Sequence, residues 1–397
     1  MSPGRVNRQI DLWNIELPHV KPFYAVKSNP DPHLLHHLYD AGIGFDCASK
    51  RELLSVQELA RSQVSLAERI IYANPCKSRH DIVAAEAVDS PTTVVDSVEE
   101  LEKLQGYRGG ALVRIAVDDS GSSMPFSSKF GCNPGDILKI GEAAASMNVL
   151  IRGISFHVGS GCMKPAAYHH AIFSAYHCLR RLSDNIPYMS LNTIDIGGGF
   201  LADSVDFRAK ALQIRESMIH VNKAELRGGR EGIRFIAEPG RFFSSDTSDF
   251  FVQVIGKKAT SVGWSYTIDD SIYGQFSSIL FDHATPTWFR IQDDKGVEGT
   301  RPFGPGVLFG RTCDSVDVIA RAERMEELEV GDWLWFPYMG AYTRATATEF
   351  NGFPRPEVFV DNAAEEAGRF QLLDVMPRGI EYMAPVSAKD FWATDRP

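Results

Sequence analysis

Residues 193-TIDIGGGFLADSVDFRAKALQIRESMIHVNKAELRGGREGIRFIAEPGR-241 carry the pattern that decides the fold. A short apolar run ends in glycines, a long amphipathic stretch follows, and a second apolar run ends in EPGR. That is a strand, a helix and a strand, the unit that builds parallel sheets. Working outward, the runs FYAVK, GIGFDCAS, RIIYANP, TTVVD, ALVRIAV and IRGISFHVG precede it, with helical stretches between them. Eight such runs are the count of a (β/α)8 TIM-like barrel of about 250 residues, assigned here to 1–245. A doubly wound sheet is the competing architecture. Beyond 245 the pattern changes to closely spaced β-prone segments, DFFVQVIGKKA, GWSYTIDD, DWLWFPYM and EVFVDN, so 246–397 reads as a C-terminal antiparallel β domain of sandwich or barrel-like form.

Bulk properties narrow the function classes. The chain has 397 residues, 44% hydrophobic and 23% charged, which suits a two-domain globular protein. No apolar run reaches the length of a membrane span, and the first residues lack the apolar core of a secretory signal, so a cytoplasmic protein without a membrane partner is expected. The net charge of −10 argues against nucleic acid and leaves small cationic substrates open. The six cysteines show no paired C-x-x-C spacing, so they read as thiols and no metal is expected.

Several strand ends carry chemistry-bearing residues. Lys27, in 22-PFYAVKSNP-30, closes an apolar run where a barrel opens its mouth, although most strand-end lysines are merely solvated. The stretches 195-DIGGGF-200 and 238-EPGR-241 offer backbone N–H groups and Arg241 to a phosphate, or serve as tight turns. Glu238 stands beside them, as a site carboxylate or as a salt-bridge partner of Arg241. His157, in 155-SFHVGSG-161, is a core histidine or a catalytic one.

Taken in order, PFYAVKSNP, FDCAS, IIYANPCK, SKFG, ISFHVGSGC, DIGGGF, AEPGR, IYGQFSSILFDH, TCDSVD, GDW, MGAYT and FNGF resemble the ornithine decarboxylase family of fold-type III pyridoxal-phosphate enzymes across residues 20 to 360. The resemblance implies pyridoxal 5'-phosphate as cofactor and decarboxylation of ornithine or a closely related diamino acid to a diamine. Lys27 would carry the cofactor with Asp46 close by, Glu238 would pair with the pyridine nitrogen and His157 would stack on the ring. Ser160, Gly198, Gly199, Gly240, Arg241 and Tyr342 would hold the phosphate. Cys313 would protonate the carbanion, and Asp282, Asp314 and Phe350 would bind the substrate. The resemblance also implies a homodimer with shared active sites, in which Cys313 and Asp314 come from the partner chain and Lys129 pairs with Asp317 between subunits.

The chain departs from the family in three places. Arg311 and Ser315 flank the TCD segment where relatives have proline and glycine, and Phe281 replaces a tyrosine. A left-handed backbone at Ser315 would displace the loop. Fewer residues than usual precede Lys27, which puts the edge of the second domain in question. Two enzyme alternatives remain, decarboxylation of a specialised or conjugated substrate in secondary metabolism, or of lysine, arginine or diaminopimelate. A racemase would lack the cysteine and aspartate arrangement. An alternative of another class is a non-catalytic homologue that regulates by binding proteins, which the retention of Lys27, Asp46, Glu238, Arg241, Cys313 and Tyr342 disfavours.

Overall fold

The computed structural model describes residues 1–60, 66–186, 189, 191–291 and 301–361. Two compact units emerge, Val6–Phe243 and a second formed by Met1–Arg5 with the chain from Ser244 onward.

In the first unit, β1 (Val20–Ala25), β2 (Gly44–Cys47), β3 (Ile70–Tyr72), β4 (Thr92–Val95), β5 (Ala111–Arg114), β6 (Ile151–Ser155), β7 (Thr193–Asp195) and β8 (Arg234–Ala237) form a closed parallel barrel in sequence order. Closure is made by β8 on β1, with Val20 opposite Phe235 and Pro22 opposite Ala237. These short runs are apolar along nearly their whole length because parallel strands are covered on both faces. Phe23, Ile71, Val94, Leu112 and Ile236 form one buried cluster. Around Trp13, which is almost fully buried, pack Phe200, Phe207, Phe242 and Phe243 with ring centroids 5.3–5.7 Å away. The helices start where the sequence supplies caps: Asp31, Ser49, Ser78, Ser97 and Asp203 each accept an amide of the first turn. Such caps end the βα loops abruptly and so hold the strand ends that form the barrel mouth.

The second unit contains a six-stranded sheet. Its strands are β9 (Phe250–Thr260), β10 (Gly263–Ile268), β11 (Phe289–Arg290), β12 (Phe303–Phe309), β13 (Val318–Glu326) and β14 (Trp333–Phe336), in the order β11-β14-β9-β10-β12-β13. The sheet is mixed: β10 and β12 run parallel, the other neighbours antiparallel. The parallel pair is possible because a long connection returns the chain to the starting end of β10. Val252, Val254, Tyr266, Ile268, Phe276, Leu308, Leu334 and Phe336 are buried in its core. The EVFVDN segment forms no strand among the described residues; instead the Met1 amino group donates to Phe359 O at 2.6 Å, and Asp361 N donates to Met1 O at 2.9 Å. Ser2 N likewise donates to Thr247 O, so the first residues fasten to this unit. The expected domain residues 362–397 lie outside the described residues.

Candidate active site

Lys27 lies in a single 3-10 turn, Val26–Ser28, directly after β1. The register puts Ala25 opposite Asp46 of β2, and from there the Lys27 ammonium reaches Asp46 Oδ2 at 3.0 Å. The two partners differ in exposure. About half of the Lys27 side chain is open, whereas that of Asp46 is 1% exposed. An aspartate buried beside one partly exposed lysine holds the ammonium in place at the end of the strand. Its second oxygen, Oδ1, has no hydrogen-bond partner among the described residues.

Glu238 follows β8 and is buried. Burial first, then Asp195 and Asp46, push its carboxyl well above the ordinary carboxylate range. Glu238 Oε1 has no partner among the described residues, and its amide donates to Gly197 O at 2.7 Å, which sets the carboxyl beside that of Asp195 at the end of β7. Asp195 in turn accepts from Gly197 N at 2.9 Å and from the Ser155 hydroxyl at 3.3 Å. Burial pushes its pKa up to about 6. Arg114, at the end of β5, balances these acids; burial lowers its pKa, while Glu238, Asp96, Asp195 and Asp46 pull it back up.

His157 follows β6, and Gly159 N donates to its Nδ1 at 2.9 Å. That bond leaves the ring proton of a neutral imidazole on Nε2. Burial, then Arg114 and Lys27, hold its pKa well below the usual histidine value, so the ring is uncharged at neutral pH. The edge of Phe126 meets it at a centroid distance of 5.0 Å.

The glycines after β7 make a cradle. Gly197 has φ +63° and a Cβ there would lie 2.3 Å from Phe156 O; at Gly198 it would lie 2.8 Å from Glu238 O and 3.0 Å from His157 Nε2. Only hydrogen fits, which brings backbone close to Glu238 and His157. Gly199 is also left-handed, and Tyr168 fixes the turn by donating its hydroxyl to Gly198 O at 2.7 Å. Ser160 is bound through its backbone to Met124, and Gly240 precedes the one-turn helix Arg241–Ser244. Lys27, Asp46, His157, Ser160, Gly198, Gly199, Glu238, Gly240 and Arg241 thus all follow or end barrel strands. Asp195, Arg114 and Ser155 join them without having been singled out from the sequence. Asp195, at a strand end two residues before the first of three glycines, was the readable signal.

The remaining candidates belong to the second unit. Asp282 ends the short helix Ser278–Phe281, its amide bonded to Ser278 O at 3.0 Å. Cys313 is exposed, its thiol 3.7 Å from Asn351 Oδ1. Asp314 accepts from the Tyr273 hydroxyl, and the Tyr273 ring stacks on Phe350 at 4.3 Å. That bond lowers the Asp314 pKa. Tyr342 adopts φ +53° and Asn351 φ +57°, sparsely populated conformations for such residues. Asp317, 1% exposed, ties its own loop by accepting from Ile272 N, Thr312 N and the Thr312 hydroxyl. Its carboxylate is therefore engaged within the chain, and Lys129 has its ammonium 5.0 Å from the Phe130 ring centroid. Ser315 is not left-handed, so its Cβ costs nothing in conformation, and Arg311 stacks on Phe353 at 3.9 Å.

Barrel and mouth together define a (β/α)8 enzyme with a lysine-centred site. The family described as pyridoxal-dependent decarboxylase, pyridoxal binding domain, matches residues 3–245. The chain is 37% identical over 384 residues to the probable ornithine decarboxylase of Dictyostelium discoideum, covering 91% of this chain and 79% of that protein. It is 38% identical over 383 residues to the ornithine decarboxylase of Panagrellus redivivus, covering 91% and 85%. Among solved structures, the arginine decarboxylase of Paramecium bursaria Chlorella virus superimposes with a TM-score of 0.82 at 34% identity, over 91% of this chain and 94% of that one. The lysine/ornithine decarboxylase of Vibrio vulnificus complexed with cadaverine gives 0.80 at 33%, over 91% and 93%. The chain belongs to the pyridoxal-dependent decarboxylases, in the ornithine decarboxylase family, and is a pyridoxal-phosphate-dependent carboxy-lyase. The residues present fit that cofactor: the orphaned oxygens of Asp46 and Glu238 await a donor, and the glycine cradle leaves room that a Cβ would fill. No helix among the described residues is long and apolar enough to cross a membrane.

Proposed function

We propose that the protein decarboxylates ornithine, releasing carbon dioxide and a diamine. The observation that carries this reading is the similarity to ornithine decarboxylases over about nine tenths of the chain. Pyridoxal phosphate, when bound, supplies a sink for the electrons left behind by carbon dioxide. In this reading Lys27 carries the cofactor and Asp46 holds its ammonium until then. Glu238 keeps a proton at the pyridine nitrogen and neutral His157 covers the ring face. Ser160, Gly198, Gly199, Gly240, Arg241 and Tyr342 hold the phosphate. Cys313 returns a proton to the α-carbon, while Asp282 and Asp314, with Phe350 beside them, bind the distal ammonium. Two copies assemble so that Cys313 and Asp314 of each serve the other. The domain boundary lies near residue 245. Six unpaired thiols suit a reducing compartment, which supports a cytoplasmic enzyme.

A diamine assay across ornithine, lysine and arginine tests the substrate. One methylene misplaces the distal cation enough to cost about 10 to 200-fold, so ornithine should lead by at least about 10-fold in kcat/KM. A clear preference for lysine or arginine would overturn the ornithine assignment.

A further inference from the structure

We propose that Asp195 is a positioning residue for the cofactor site, one that pins the glycine turn through Gly197 and shares a single proton with Glu238. Two carboxylates offer each other only acceptors, so carboxyl groups in hydrogen-bond contact need a proton between them. Asp195 and Glu238 are buried neighbours: β7 and β8 pair side by side, and Gly197, whose amide donates to Asp195 at 2.9 Å, accepts from the Glu238 amide at 2.7 Å, so the two carboxyls act directly on each other. Asp195 cannot turn away, because Gly197 N and the Ser155 hydroxyl hold its two oxygens. The same carboxyl therefore joins the glycine turn to the acid that follows β8. Glu238 Oε1, without a partner among the described residues, is placed to accept from a ring N–H.

The surroundings fix the proton count. Asp46 on β2 adds a third carboxylate, opposed by Lys27 after β1 and Arg114 on β5. His157 after β6 is neutral and adds no charge. Burial favours the protonated pair over two anions, in line with the raised pKa of both groups. The proton is then available where a pyridine nitrogen must be protonated. On docking, the O–H bond of the pair breaks and an N–H bond forms on the ring; Glu238 is then an anion that accepts from that N–H through Oε1, Asp195 is an anion held by Gly197 N and the Ser155 hydroxyl, and the ring cation replaces the shared proton in offsetting their charge. This inference rests on the assignment of Glu238 to the ring nitrogen.

Asp195→Asn tests it, because an amide can still accept from Gly197 N and donate to Glu238, yet brings no exchangeable proton to the pair. Pyridoxal phosphate is titrated calorimetrically into cofactor-free protein, in two buffers of different ionisation enthalpy, to count the protons exchanged. The variant should take up about one proton more than wild type, or release about one fewer. Its Kd should weaken relative to wild type by up to about tenfold per pH unit above neutrality. Equal proton counts, or a Kd ratio that is constant with pH, would overturn the shared proton and leave Asp195 a purely structural residue. Should the variant not fold, infrared difference spectra of wild type answer the same question: a protonated-carboxyl band must disappear when the cofactor binds, and its absence or persistence overturns the proposal. Failure of wild type to bind pyridoxal phosphate at all would instead sink the cofactor assignment.

Discussion

The barrel mouth and the 311–317 loop of the second unit handle charge in opposite ways. At the mouth, Asp46, Asp195 and Glu238 are buried and held by strand ends, and two of their oxygens have no partner among the described residues. In the loop the buried carboxylate, Asp317, is saturated by Ile272 N, Thr312 N and the Thr312 hydroxyl, while Cys313 is exposed and Asp314 is half-buried, bonded to the Tyr273 hydroxyl. A buried group with an open valence is preorganised for a ligand that enters it. An exposed group on a well-tied loop is preorganised for presentation. In the function proposed above, the mouth holds the cofactor and the loop is what one copy offers to another.

The largest test of that contrast is Lys27→Ala. It should abolish the visible absorbance of bound cofactor and lower kcat/KM by at least about 10^3-fold, since covalent attachment and proton handling are lost together. An absorbance band that survives on another lysine would break the assignment of the mouth. Next comes Asp282→Ala, which should reduce kcat/KM for ornithine by about two orders of magnitude through the unpaired distal ammonium. Ornithine turnover insensitive to this change would remove Asp282 from the substrate pocket.

Mixing inactive Lys27→Ala with inactive Cys313→Ala sharpens the distinction between holding and presenting. Random exchange makes half the dimers hybrid, each with one intact site of two, so about a quarter of wild-type activity should return. No recovery after exchange has been verified by mass would show that Cys313 serves its own chain.

The smallest effect lies in the pH dependence of the cofactor-free barrel. Asp195 and Glu238 have raised folded-state pKa values, so their contribution is fully present at acid pH and is lost as pH rises from the ordinary carboxylate range through about 6 and beyond. His157 acts in the opposite sense: its lowered value means stability is present above the ordinary histidine pKa and lost below it. Melting curves of cofactor-free Asp195→Asn should accordingly fall less between pH 5 and 7.5 than those of wild type, by about 2 to 4 °C. Identical slopes would mean that the pair does not titrate there.

Much of the barrel was legible because parallel strands are written as contiguous apolar runs, and several βα loops end in a recognisable cap such as Ser49, Ser78, Ser97 or Asp203. The second unit was less legible. EVFVDN has the composition of a strand but forms none among the described residues, and the parallel alignment of β10 with β12 depends on a connection whose path no periodicity records.

Within the site, residue types and local spacing placed Lys27, His157, Gly198, Gly199, Glu238 and Arg241 at strand ends by sequence alone, because a strand end is a local property. Which of them meet is not local. The Lys27–Asp46 ion pair spans 19 residues, and the Asp195–Glu238 contact comes from β7 and β8 lying side by side. Asp195 reads in sequence as one more polar residue before a glycine turn. Only barrel closure, which stacks strand ends in a ring and excludes water from them, makes it a buried acid that must share its proton with Glu238.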